Sequence, residues 1–194
     1  SLSGGESDDE SESGDGAGGV SDGLDDEASP ARKRKRASGG GGGASARPAG
    51  MTARKFLCAR VLAPALAAAK RSTPSTCVDP FKKAVSKQAA PDYGAVVPAS
   101  VAMDLDRVDR ALKGGRYASA AAMRADIARI VHAARLYNEP RPETGLPAGR
   151  YGGVAIIGLA ETLLAAVDAA LDAVAFKIAD AEAGVAAEDA ARRR

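Results

Sequence analysis

From Met51 onward, apolar side chains recur at spacings of three and four residues, the rhythm of helices that pack through one face. Leu57, Val61 and Ala65 predict a first helix over about 52–71, with Pro64 marking a kink or a break. A short second helix over 104–112 stops at Gly114-Gly115, and Ser119 can cap a third whose stripe is Met123, Ile127, Ile130, Val131 and Ala134. That third helix must finish near Asn138, because Pro140 lacks an amide donor and disfavours helical geometry at Glu139. Leu163, Val167, Leu171, Val174 and Ile178 predict one last helix. Four amphipathic helices of this kind make an all-α bundle. Between them lie a segment over 73–101, broken by Pro74, Pro80, Pro91 and Pro98, and a second loop over 141–152. A connection as long as the first is unusual in a compact domain unless it is functional. If the helices alternate up and down, the two loops meet at one end.

Composition supports helices, since the 45% hydrophobic content is mostly alanine with few aromatics. It also divides the chain into a low-complexity tail over 1–48, a bundle over 51–182 and a C-terminal tail over 183–194. The first segment is Ser, Gly, Asp and Glu with a pentaglycine tract, too poor in apolar surface to offset its ordering entropy, and is expected to be disordered. The net charge of +2 conceals ten acidic residues within 1–27, followed by the unbroken basic run Arg32 to Arg36. That run after Ser29-Pro30 resembles a nuclear import signal, so a nuclear location is expected; Ser7 before Asp8-Asp9-Glu10 resembles an acidophilic kinase site. Cys58 and Cys77 provide neither a disulfide framework nor a zinc ligand set, which favours buried free thiols in a reducing compartment. No secretory signal is recognised. The apolar run over 152–176 carries Glu161, Asp168 and Asp172 within about 40° on a helical projection. One polar stripe suits a bundle helix better than a membrane span, where each charge would cost ~2.5–3.5 kcal/mol.

Catalytic chemistry is thinly provided for. His132 is the sole histidine, no Ser or Cys sits in a nucleophile motif, and the residues offer no metal site. Gly149, Gly152, Gly153 and Gly158 follow no strand and precede no Gly-Lys-Ser/Thr, so they read as a turn into the last helix rather than a phosphate cradle. Neither an enzyme nor a cofactor is expected. What remains is a concave site made by the two loops, with Asn138 on it. An amide both donates and accepts, which suits a neutral polar ligand group better than a bare charge. Phe81, Tyr93 and Tyr137 gather scarce aromatics beside the same loops, as in a pocket with apolar walls and few polar anchors.

Pro91-Asp92-Tyr93, Met103-Asp104-Leu105, Leu112 to Tyr117, Asp126-Ile127 and Tyr137-Asn138 together resemble, in order and spacing, the bromodomain family, over about 57–178. The resemblance implies a left-handed four-helix bundle with long first and third inter-helix loops that reads acetylated lysine, most plausibly on histone tails, within a chromatin complex. Carried over residue by residue, Asn138 corresponds to the anchor that donates to the acetyl carbonyl. Tyr93 corresponds to the tyrosine that reaches it through water. Phe81 and Val85 correspond to the apolar shelf, Tyr137 to the aromatic beside the anchor, and Ile156 to the gatekeeper, with Val154 or Tyr151 as alternatives. Three residues depart from the family pattern: Asp79 stands where many members have tryptophan, Ala102 where proline usually precedes Met-Asp, and Ala133 where an asparagine is common. Competing readings are a scaffold bundle that has lost its ligand and a nucleic-acid binder working through Arg32 to Arg36 and Arg192 to Arg194. The expected partners are acetylated peptides, with no membrane and with nucleic acid at most through the basic tail.

Overall fold

The computed structural model describes residues 47–139 and 153–194. The acidic and basic segments before Arg47, and the loop residues Gly149, Tyr151 and Gly152, lie outside them. Among the described residues all regular structure is helical.

The first helix is continuous from Ala53 to Ser72, as α1 (Ala53–Phe56), a π-helical stretch (Leu57–Leu62) and α2 (Ala63–Ser72). Of the kink or break expected at Pro64, the break does not occur. The turn before the proline is already widened, with the Ala63 N–H bonded to the Cys58 carbonyl, so the ring is accommodated without ending the helix.

Helical turns interrupt the long first connection: α3 (Ser75–Val78), a 3₁₀ turn (Asp79–Phe81) and α4 (Tyr93–Val96). Then come α5 (Leu105–Lys113) and α6 (Ala120–Asn138), capped by Asp104 and Ser119, whose side chains accept the N–H groups of Arg107 and Ala122. Between them Gly115 adopts φ +64°, and a Cβ there would lie 3.2 Å from the Lys55 Cα, so the tight turn requires glycine twice over. α6 ends at Asn138 with Glu139 extended at φ −68°, ψ 138°, as the proline requires.

The last helix divides in two, α7 (Gly153–Asp172) and α8 (Ala175–Arg192), at a turn through Ala173 and Val174. Neither glycine nor proline marks that turn in the sequence. Tertiary packing of α8 accompanies it: Ala181 and Val185 are buried, Glu182 accepts the Ala120 N–H at 2.7 Å, and Glu188 accepts the Ala53 N–H at 2.6 Å. Two carboxylates of α8 thus satisfy orphan amides at the starts of α6 and α1. The segment 183–194, expected as a tail, is instead largely the last turns of a packed helix.

Leu57, Leu62 and Leu66 meet Met123 and Ile127 of α6 and Leu163 and Val167 of α7 in one core. α7 is long and apolar enough to cross a membrane by length and composition. Here it packs as a bundle helix, burying Ile156, Ile157, Leu163 and Val167 while Asp168 and Glu161 pair with Arg124 and Arg135 of α6.

Candidate functional site

The sequence of α6 places Ile130, Ala133, Ala134, Tyr137 and Asn138 along one face of its last two turns. The first connection folds over that face, and the start of α7 closes its side. Between them opens a cavity of about 40 Å³, whose walls include Phe81, Val85, Tyr93, Tyr137, Asn138 and Ile156. All six residues singled out in the sequence therefore converge on one space. Met103, Ala133 and Ala134 add apolar wall, and Lys83 is the one charged residue of its lining among the described residues.

Asn138 is 3% exposed and donates its side-chain N–H to the Ala134 carbonyl at 2.9 Å. Tyr93 and Tyr137 lie with ring centroids 5.1 Å apart at 59°, a tilted aromatic pair. The Tyr137 hydroxyl donates to Asp92 at 2.6 Å, so Tyr137 turns its ring rather than its polar end to the cavity. Burial pushes the Tyr93 phenol up from its usual pKa, with Arg107 partly opposing and Asp104 reinforcing the shift. Tyr93 is thus a protonated donor at neutral pH.

A second opening of about 240 Å³ shares Val85, Tyr93 and Met103 with the first and continues to Arg107. Arg107 pairs with Asp104 and donates to the Ala102 carbonyl at 2.8 Å, fixing the segment that carries Met103. Met103 and Asp92 shape the site in ways that the family resemblance alone does not assign. Their signal lies in the Met-Asp-Leu and Pro-Asp-Tyr motifs.

The departures have structural correlates. Asp79 faces solvent, pairs with Lys82 at 2.7 Å, and takes no part in the cavity wall, so the floor there consists of Pro80 and Phe81. Ala133 lines the cavity with a methyl group. Of the gatekeeper alternatives, Ile156 is 8% exposed and lines the cavity, whereas Val154 is 62% exposed and does not. Tyr151 lies outside the described residues.

No group of metal-ligating side chains occurs among the described residues. His132 is exposed on α6 in a separate groove beside Glu161, and Cys58 and Cys77 are buried free thiols. Burial raises the Cys58 thiol pKa, and its S–H donates to the Tyr117 carbonyl, so it is no thiolate nucleophile at neutral pH.

No curated protein sequence matches the chain. The sequence model of the Bromodomain family matches residues 67–146, a span that runs from within α2 through the first connection and α6 and contains the Phe81, Tyr93 and Asn138 positions. With this match laid on an all-helical bundle in which Tyr93, Met103, Tyr137 and Asn138 line one cavity, residues 67–146 of this chain belong to the Bromodomain family, whose general role is to read acetylated lysine.

Proposed function

We propose that this cavity binds the acetylated lysine of a peptide, a histone tail first among them, and that it does so without a catalytic step, in the nucleus. The observation that carries the reading is the convergence of a buried amide, Asn138, and a protonated phenol, Tyr93, on a slot walled by Phe81, Val85, Tyr137 and Ile156. Asn138 donates to the acetyl carbonyl, Tyr93 reaches the same oxygen through a water, and Phe81 with Val85 supports the methyl group. Ile156 narrows the entrance beside the lysine stem.

Acetylation converts a strongly hydrated ammonium into a neutral amide on the same stem. The cavity lining holds no carboxylate among the described residues, and its one charged member, Lys83, is a cation. An unmodified lysine would bring a charge into an apolar slot with no partner and with a like charge beside it, a penalty of several kcal/mol. Discrimination therefore needs no dedicated charged residue.

One small side chain fills the slot, so affinity is expected to be micromolar or weaker, ~−8 kcal/mol or less favourable. Calorimetric titration with paired acetylated and unmodified histone-tail peptides tests the reading. Micromolar binding of acetylated peptides alone is the expected result; indifference to acetylation, or no binding of any acetylated peptide, would move the assignment to an interaction scaffold.

A further inference from the structure

The end of the bundle opposite the cavity is strongly basic. The α5–α6 turn brings Lys113 and Arg116 against Lys55 of α1, because Gly115 approaches the Lys55 backbone so closely that a Cβ would sit 3.2 Å away. Arg110 projects one helical turn before Lys113. The end of α8 meets the same corner, where Thr52, Arg54, Gly115, Asp189 and Arg192 line a shared pocket, and Arg193 and Arg194 follow.

Most carboxylates at this corner are already engaged, Asp180 on α8 being exposed without an ion-pair partner among the described residues. Glu188 pairs with Arg47 and Arg192, Asp189 pairs with Arg54, and Glu182 accepts the Ala120 N–H. Asp126, near Tyr117, pairs with Arg129. Lys55, Lys113 and Arg116 are exposed and have no ion-pair partner among the described residues. Helix C-terminal cations such as Arg110 and Lys113 complement the α5 dipole, but Lys55 and Arg116 come from other elements and have no such local reason to gather there.

We propose that this corner binds the phosphate backbone of duplex nucleic acid, in the first place DNA, as a second binding site distinct from the cavity. Charge complementarity argues for a polyanion, since Lys55, Lys113 and Arg116 come from separate elements, form one surface and have no ion-pair partner among the described residues. No aromatic lines the pocket at this corner, which argues for a duplex rather than a single strand, whose bases need stacking platforms. The corner and the cavity lie at opposite ends of α6, about 28 Å apart along its 19 residues. The two sites can therefore be occupied together, with the duplex held by its backbone and without base readout.

Fluorescence anisotropy with a labelled mixed-sequence DNA duplex tests this on the whole chain. Neutralising Lys55→Gln, Lys113→Gln and Arg116→Gln together is expected to weaken binding by about tenfold or more and to make the log K against log salt slope shallower by about 2.7, at about 0.9 for each phosphate no longer neutralised. Thermal melting by circular dichroism establishes that the variant is folded. A parallel variant with Arg32 to Arg36 changed to Gln separates the contribution of that run, and the corner's salt dependence is expected to persist in it. Should the triple variant keep the parent's affinity and slope, or the Arg32 to Arg36 variant lose all binding, the corner carries no site. Tighter binding of the single strand than of the duplex would overturn the duplex assignment. A triple variant that does not fold is replaced by the single changes Lys55→Gln and Lys113→Gln, each expected to lower the slope by about 0.9.

Discussion

The Tyr137 hydroxyl donates to Asp92 at 2.6 Å and so ties the last turn of α6 to the connection that carries Tyr93. Sequence neighbours on both sides benefit, since Asp92 precedes Tyr93 and Tyr137 precedes Asn138. One hydrogen bond therefore sets the separation of the two polar groups that face the cavity, and the tilted ring pair packs beside it.

Tyr137→Phe keeps the ring and removes this tie. The expected cost is about 1–3 kcal/mol of stability, because the missing bond is to a carboxylate. Acetyl-peptide affinity is expected to fall several-fold through loosening of the Tyr93 segment, without loss of the preference for the acetylated form. Urea denaturation and calorimetry on the same preparation measure both; an unchanged denaturation midpoint would show that the hydrogen bond has no energetic role.

Lys83 gives a second prediction. Lys83→Glu places a carboxylate beside the slot and supplies the partner that an unmodified ammonium otherwise lacks. Because Lys83 is exposed, the effect should be small, on the order of 1 kcal/mol or less, and should shrink as salt is raised. Relative affinity for unmodified over acetylated peptide should rise at low salt. An unaltered ratio there would remove Lys83 from the discrimination.

The helices and the cavity were legible in the sequence to different depths. The stripe Met123, Ile127, Ile130, Val131 spans enough turns for its period to stand out, and Ser119 and Pro140 bracket it by local backbone chemistry. Asn138, Tyr93 and Phe81 were legible because motif order reports spatial convergence even where periodicity is silent. The turns around Ser75–Val78 and Tyr93–Val96 were not, since four residues span barely one helical turn and show no period. The division at Ala173–Val174 and the docking of α8 were hidden for a different reason. Glu182 and Glu188 look like ordinary surface carboxylates until α6 and α1 bring bare N–H groups to them.

Glu188 makes stability depend on pH. The Ala53 N–H does most to hold its carboxyl below the usual range; desolvation opposes it, and Arg47 and Arg192 add smaller lowering effects. A carboxylate with a depressed folded pKa contributes stability that is full above its unfolded value of about 4.3 and is lost as pH falls through the folded value. The melting temperature should therefore fall as pH is lowered below about 4, and Glu188→Gln should fall less steeply over the same range while melting lower than the parent at neutral pH. Parallel melting curves for parent and variant across that window would refute the linkage.

Asn138 carries the sharpest prediction, because its burial separates two effects that its position at a helix end would otherwise merge. The side chain is 3% exposed and bonded to the Ala134 carbonyl, so Asn138→Ala removes packing and a hydrogen bond and should cost about 1 kcal/mol of stability even without a ligand. In the proposed mechanism the same change leaves the acetyl carbonyl desolvated without its donor, a further loss of about 1–3 kcal/mol in binding, or roughly five-fold to more than a hundred-fold. Asn138→Asp keeps the size and removes the donors. When ionised it presents only acceptors, both to the Ala134 carbonyl and to the acetyl oxygen, so binding should fail as it does with alanine. Calorimetry on folded variants, with melting temperatures recorded alongside, decides the matter. If either variant, although folded, binds acetylated peptide as tightly as the parent and with the same preference over the unmodified peptide, the anchor lies elsewhere in the cavity and the role proposed for Asn138 falls.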